Sequence, residues 1–198
     1  MNSSATAMPG LSSGCPLMNK GMAEQVLEVC GSRFRFTEDG KTVFECRCGH
    51  GRNGFSADKR EGDGKTPLGT FPIEYAFGME MPAKCRLPFR QIGPSSWWSG
   101  ERETYNRWVE LPAPDDGPKP SIEGEHLADY PVEYKLAFVI GYNTSFPEWG
   151  RGSAIFLHCK GVKKWNTSGC ISLAEARIRT LIERLGPGAV IRISSPSK

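Results

Sequence analysis

Short apolar runs bounded by glycine or proline constrain the fold of this chain more than any other feature. The 198 residues include 23 glycines and 15 prolines, which leave few stretches long enough for a helix. Turn-forming residues at this frequency favour many short strands. Because 38% of the residues are hydrophobic, the chain can bury one sizeable core. We therefore predict a single, mainly β domain of the β-rich α+β class.

The N-terminal third has the pattern of a strand meander. Residues 26–30 and 32–36 alternate apolar and polar side chains, which is the period of a half-buried strand. Asp39-Gly40 then precedes a third run at 42–46. An Asp-Gly pair between two strand patterns predicts a tight hairpin.

The C-terminal third combines buried strands with one helix. The continuous apolar runs at 137–140 and 154–157 predict central strands covered on both faces. Ser172 and Glu175 have the spacing of a capping box, in which the serine hydroxyl would begin a helix over 174–185. A last strand is predicted at 189–193.

Two long polar regions interrupt these elements, at residues 49–72 and 81–131. Loops of this length are usually functional or disordered. Within the second, Trp98 and the Tyr105-Asn106 pair interleave aromatic and polar groups. They could line a groove for an extended ligand, or they could form a satellite hydrophobic cluster under the loop.

Composition excludes several classes of function. The net charge of +3 is too small and dispersed for a nucleic-acid partner, and no window approaches the roughly 20 apolar residues of a membrane span. Residues 1–22 are small and polar, without the pattern of a signal peptide, and we expect a flexible segment there ahead of a domain at 23–198. The G-D-G-K-T run at 62–66 lacks the first glycine of a phosphate loop, because Lys59 stands at that position.

Seven cysteines leave disulfide pairing open, since three bridges with one free thiol and no bridge at all are both possible. A zinc site is disfavoured, because neither candidate cluster has the usual ligand spacing and adjacent strand residues point to opposite faces. We predict no metal site. The two clusters weighed are Cys46, Cys48 and His50, and His158, Cys159 and Cys170.

Cys170 and His158 are the residues with the clearest chemical potential. Cys170 precedes the predicted helix start, where unpaired amides and the positive helix end would lower a thiol pKa and hold an oxyanion. His158 ends a predicted strand and could serve as the base. The alternative is a small buried cysteine and a hydrogen-bonded core histidine, and spacing alone does not overturn it.

Several separated motifs, in order, resemble the L,D-transpeptidase catalytic domain of the YkuD/ErfK type over residues 26–193. The resemblance implies a β-sandwich with a helix after the catalytic cysteine and long loops over the cleft. The motifs are K-R-E-G-D-G-K-T-P-L-G-T-F at 59–71, Tyr105-Asn106, I-G-Y-N at 140–143, G-S-A-I-F-L-H at 152–158 and T-S-G-C at 167–170.

The resemblance implies a role for each matched residue. Cys170 would be the nucleophile that is acylated by a peptidoglycan stem peptide, and His158 its base. Backbone amides around Ser168, Gly169 and Cys170 would form the oxyanion hole, and the Cys159 carbonyl would orient the imidazole. Substrate-binding residues would be Trp98, Tyr105, Asn106, Asn143 and Thr167.

Three departures from the family pattern put acceptor specificity in doubt. Ser168 stands where most members have a second histidine, the loop from His158 to Cys170 is short, and Ser172 replaces a frequent arginine or asparagine. Three functions therefore stay open: transfer to a stem amine or D-amino acid, hydrolysis of wall peptides or wall-linked proteins, and wall binding without catalysis. For all three we expect peptidoglycan stem peptides as partner, no cofactor, a monomer, and a place in the cell envelope.

Overall fold

The structure is a computed structural model that describes residues 23–112, 122–162 and 164–196, so the predicted flexible segment 1–22 lies outside it. Within the described residues the chain forms fourteen strands, one α-helix and two short 3-10 turns at Arg102–Thr104 and Leu127–Asp129. The strands and the helix are β1 (Gln25–Cys30), β2 (Arg33–Glu38), β3 (Lys41–Arg47), β4 (Phe55–Ser56), β5 (Thr66–Pro67), β6 (Gly69–Gly78), β7 (Phe89–Gln91), β8 (Ser96–Ser99), β9 (Arg107–Glu110), β10 (Gly124–His126), β11 (Ala137–Ile140), β12 (Phe156–Cys159), β13 (Ile171–Leu173), α1 (Glu175–Arg184) and β14 (Val190–Ser194).

One large sheet folds over a common core, with the strand order β13-β12-β11-β6-β14-β1-β2-β3 and β7 also paired to β6. The long β6 joins the two halves: residues 69–72 pair with β14, and the rest of the strand pairs with β11. Side chains from both halves meet in one buried cluster, to which α1 contributes Ile178, Leu181 and Ile182. The mainly β class and the sandwich are confirmed.

The predicted N-terminal meander is confirmed. β1 pairs antiparallel with β2, and β2 pairs antiparallel with β3. Asp39 and Gly40 both have positive φ, +46° and +73°, which is the backbone that a two-residue type I′ turn requires.

β11 and β12 are buried on both faces, as predicted, but β12 begins two residues later than the predicted run at 154–157, because Ala154 has a positive φ of +52°. Phe138 and Leu157 face the main core, whereas Val139 and Phe156 face a second cluster. This second cluster contains Trp98, from a small sheet of order β10-β8-β9. The region 81–131 is therefore more regular than predicted, although its residues 113–121 lie outside the described part.

The predicted capping box is wrong. α1 begins at Glu175, and its N-cap residue Ala174 makes no side-chain capping bond. Ser172 belongs to β13, and its hydroxyl donates to the Trp165 carbonyl at 2.8 Å. Strand pairing thus overrides the local helix-start signal.

Residues 49–52, a glycine-rich segment after β3, support the connection between β12 and β13. These two strands are parallel neighbours, joined by residues 160–170. Gly49 exchanges both backbone hydrogen bonds with Ser172, at 2.9 and 3.1 Å, and Thr167 N–H donates to the His50 carbonyl at 3.0 Å. A Cβ on Gly49 would lie 1.7 Å from the Trp165 carbonyl oxygen, so only glycine fits.

We predict that Gly49→Ala lowers the free energy of unfolding by about 2 kcal/mol or more, because the new methyl group must displace backbone. Urea denaturation measures the change. Gly93→Ala is the matched control, since the nearest atom to its Cβ is the Ser96 Oγ at 3.9 Å, and it should stay within about 0.5 kcal/mol. Equal stability of the two variants would contradict the role of Gly49 in supporting this connection.

Candidate active site

Cys170 and His158 lie on the same face of neighbouring strands. His158 is the register partner of Ser172, and Cys170 is two residues earlier on the same side of the pleat. Both side chains line a cavity of about 630 Å³ that opens to solvent. The fold therefore brings together the two residues that the sequence singles out.

The His158 ring is fixed in one tautomer. Its Nδ1 lies 2.8 Å from the Cys159 carbonyl oxygen. A carbonyl can only accept, so Nδ1 carries the proton and the neutral ring has a bare Nε2. Burial lowers the pKa of His158 below its ordinary value, which keeps the ring neutral at physiological pH. The imidazole is thus prepared to accept a proton at Nε2.

The Cys170 thiol is held as a neutral group. Its Sγ donates to the Ala154 carbonyl at 3.0 Å and accepts from the Phe156 N–H at 3.4 Å. Burial, with the charge of Glu125 second, raises the pKa of the Cys170 thiol to about 12. The expectation that a helix end lowers this pKa is wrong, because β13 separates Cys170 from α1. Deprotonation must therefore accompany attack.

Thr167 organises the backbone around the nucleophile. Its Oγ1 donates to the Cys170 carbonyl at 2.7 Å and accepts from the Gly169 N–H at 3.1 Å. The Gly169 amide is thus already engaged, which leaves the Ser168 and Cys170 amides as candidate oxyanion donors. Gly169 has φ +156°, and a Cβ there would lie 3.0 Å from the Lys65 carbonyl oxygen. Glycine is required by both the backbone and the close packing.

Ser168 and Arg52 form the exposed edge of this loop. Arg52 Nη1 donates to Ser168 Oγ at 2.8 Å, and the Arg52 amide donates to the Thr167 carbonyl at 2.9 Å. A guanidinium therefore lies beside the position at which the family pattern has a second histidine. No sequence pattern indicates Arg52 as a site residue.

The polar loop at 59–66 packs on Gly169, the residue before the nucleophile. Lys59 is 3% exposed, and its Nζ binds Asp63 Oδ1 at 2.7 Å and the Arg60 carbonyl at 2.6 Å. Thr66 Oγ1 donates to the Gly169 carbonyl at 2.8 Å. The motif resembling a phosphate loop thus supports the segment that carries the nucleophile.

Asn106 is buried and uses all of its side-chain hydrogen-bonding capacity. Its Nδ2 donates to the carbonyls of Tyr142 and Asn143, at 3.1 and 2.6 Å. Its Oδ1 accepts from Trp98 Nε1 and from the Ala154 N–H, both at 2.9 Å. Asn106 therefore supports the segment whose Ala154 carbonyl contacts the thiol, and we propose no substrate contact for it.

Asn143 likewise builds the wall of the site. Its Nδ2 donates to the carbonyls of Glu148 and Gly152, and its Oδ1 accepts from the Glu148 N–H. No substrate contact is proposed for Asn143 either. Asn106, Asn143 and Ala154 all have φ between +52° and +57°, so strained backbone is concentrated beside Cys170.

Trp98 and Tyr105 border a second cavity of about 440 Å³. Trp98 packs edge-on against Phe156 and belongs to the second buried cluster. It therefore both borders a cavity and packs in a hydrophobic cluster, the two alternatives that the sequence left open. The Tyr105 hydroxyl donates to Glu61 and accepts from the Gly152 N–H at 3.1 Å. Substrate contacts by Trp98, Tyr105 and Thr167 stay predictions.

Glu125 and Tyr134 were not found by sequence reasoning. Both line the first cavity with Cys170 and His158. The Tyr134 hydroxyl donates to Glu125 Oε2 at 2.5 Å, and the Tyr134 ring stands perpendicular to the His158 ring at 5.7 Å between centroids. They flank the polar connection before β11, where no periodicity indicates a site.

The remaining chemistry-bearing residues do not assemble into a further centre. Within the described ranges, no three His, Cys, Asp or Glu side chains are close enough to hold a metal ion. The six cysteines in the same ranges are all free thiols. In that part of the chain there is also no helix long and apolar enough to cross a membrane.

Comparison with known proteins decides the family. The family model for the L,D-transpeptidase catalytic domain, YkuD, matches residues 25–193. The chain belongs to this L,D-transpeptidase family. No curated protein sequence matches it.

Solved structures similar to this family member are also L,D-transpeptidases, and the chain spans about three-fifths of the length of those named here. The one from Mycobacterium smegmatis is 14% identical, with TM-score 0.42, covering 87% of this chain and 59% of that one. L,D-transpeptidase 1 from Mycobacterium tuberculosis is 11% identical, with TM-score 0.45 and coverages of 88% and 62%. L,D-transpeptidase 3 from Mycobacterium tuberculosis, in complex with a faropenem-derived adduct, is 13% identical, with TM-score 0.44 and coverages of 87% and 60%. Membership rests on the family model, not on these superpositions.

We predict that alkylation of Cys170 by iodoacetamide accelerates about tenfold per pH unit from pH 7 to pH 10 without levelling, because its pKa is raised to about 12. Peptide mass spectrometry measures the rate, and free N-acetylcysteine is the reference. A plateau below about pH 8 would show a preformed thiolate paired with imidazolium, contrary to the geometry.

Proposed function

We propose that this family member, as a monomer in the cell envelope, transfers acyl groups on peptidoglycan stem peptides through a thioester at Cys170. One observation carries the proposal. His158, fixed by the Cys159 carbonyl with Nε2 bare, shares a face and a cavity with a buried thiol. A base oriented by a third group beside a nucleophile is the arrangement that covalent catalysis needs.

Acylation proceeds by proton transfer coupled to attack. The Cys170 S–H turns from the Ala154 carbonyl to His158 Nε2 and gives up its proton, while Sγ bonds to the carbonyl carbon of the stem amide. The Ser168 and Cys170 amides donate to the oxyanion. The C–N bond then breaks, and the leaving amine of the terminal D-amino acid takes the proton from His158. The product is a thioester and a neutral imidazole.

A carbapenem tests thioester formation, because its strained amide acylates a competent cysteine and gives a stable mass adduct. We predict one adduct on wild-type protein, located at Cys170, and none on Cys170→Ala. His158→Ala should slow adduct formation by roughly 10²- to 10⁴-fold, the usual contribution of a general base.

Cys159→Ala is the matched control, because this neighbouring thiol faces the main core and its backbone carbonyl is retained. It should label at close to the wild-type rate. Absence of an adduct on folded wild-type protein would favour a wall-binding module without catalysis.

The fate of the thioester separates transfer from hydrolysis. With a disaccharide tetrapeptide as donor, transfer to a second stem gives a cross-linked dimer, whereas attack by water gives a shortened monomer. We predict the dimer, or the exchanged stem when a D-amino acid is supplied, as the main product in mass spectrometry. A shortened monomer alone would make the enzyme a peptidase.

A further inference from the structure

We propose that Glu125 is the specificity residue of this site, holding the ammonium group of the acceptor beside the Cys170 thioester. The inference rests on the proposed function and deepens it, because it assigns the acceptor class to a side chain. Acylation as proposed uses neither Glu125 nor Tyr134, although both line the cavity that holds Cys170 and His158.

The position of Glu125 is the first argument. Its side chain lines the cavity that holds Cys170 and His158, and it also lines the second cavity behind Trp98 and Tyr105. A second substrate in either cavity can therefore contact Glu125.

The second argument is that Glu125 is held in place. Tyr134 is buried, donates to one carboxylate oxygen at 2.5 Å and packs its ring against His158. Glu125 itself lies in β10, paired with Trp98 in the small sheet. Among the described residues, no positively charged side chain forms an ion pair with Glu125. One oxygen is fixed by the phenol, and the other remains for a ligand.

The charge balance around the thiol is the third argument. A carboxylate here raises the pKa of Cys170 and so opposes formation of the nucleophile. Lys59, the cation that acts on the thiol in the opposite sense, has its Nζ engaged by Asp63. Burial also raises the pKa of the Glu125 carboxyl group, so a cation beside it would favour its charged form, and a stem amine is an ammonium ion in water.

The chemistry closes as follows. The acceptor ammonium donates to Glu125 and gives it one proton, which leaves through the second cavity to solvent. The free amine attacks the thioester carbon and its second proton passes to His158 Nε2. The C–S bond breaks with its electron pair on Sγ, and the thiolate takes the proton from His158. The products are the new amide, the thiol, the neutral imidazole and one released proton.

Glu125→Gln tests the proposal, because the amide keeps the shape and can still accept from Tyr134. At acceptor concentrations below saturation, we expect the ratio of aminolysis to hydrolysis of the thioester to fall about tenfold or more, mainly through the acceptor KM. Acylation should be unchanged or faster. Hydroxylamine, an uncharged acceptor at neutral pH, should be used equally well by the variant and the wild type.

Glu123→Gln is the matched control, since Glu123 lines only the second cavity and is exposed. It removes the same charge two residues away, and the ratio should stay within about twofold of wild type. An unchanged ratio in Glu125→Gln, or an equal loss with hydroxylamine, would overturn the proposal.

A second readout keeps this test separate from the proposed function. A simple alkylammonium ion should slow iodoacetamide labelling of Cys170 in wild type but not in Glu125→Gln, and no acylation is needed to see it. If no thioester forms but the alkylammonium ion still slows labelling, only the proposed function is contradicted. If the alkylammonium ion does not slow labelling of the wild type, only the role of Glu125 is contradicted.

Discussion

The site depends on the parallel pairing of β12 with β13, two strands whose connection has no helix among its described residues. Parallel neighbours usually need a crossover of roughly a dozen residues or more, commonly with a helix packed on the sheet. The described residues of this connection, 160–162 and 164–170, form no helix, and residues 49–52 support the strand pair instead through the bridges from Gly49 to Ser172 and from Gly51 to Thr167. Since His158 lies one residue before the end of β12 and Cys170 immediately precedes β13, their common face exists only while this pairing holds.

Structure that depends on neighbours in sequence could be predicted, whereas contacts between distant segments, such as those of residues 49–52, could not. Periodicity identified the hairpin at Asp39-Gly40, the doubly buried β11 and β12, and the helix after the nucleophile, because each depends on neighbours in sequence. The role of Gly49 depends on a contact with Trp165, far along the chain, and a single sequence carries no signal for it. The capping role predicted for Ser172 was wrong for the same reason, because its hydroxyl binds the distant Trp165 carbonyl instead of capping the helix.

The site was predictable as far as its chemistry follows from residue type and motif order. The structure brings Cys170, His158 and the Cys159 carbonyl together, and their catalytic roles stay predictions. The substrate contacts predicted for Asn106 and Asn143 are untested, and both side chains make internal hydrogen bonds. An asparagine in a family motif can serve the backbone as well as a ligand, and only the hydrogen-bond count separates the two. Positive φ at both asparagines and at Ala154 shows where that backbone is strained.

The electrostatics of the nucleophile follow from burial more than from the helix. α1 begins at Glu175, after β13, and burial raises the pKa of the Cys170 thiol, so the resting site holds a neutral thiol. A neutral thiol beside a neutral imidazole avoids placing two charges in a buried cleft, and the proton moves only when a carbonyl is present to be attacked. Because the resting thiol is neutral, a carboxylate close to it causes no repulsion between two negative charges. Glu125 can therefore serve the second half-reaction without preventing the first.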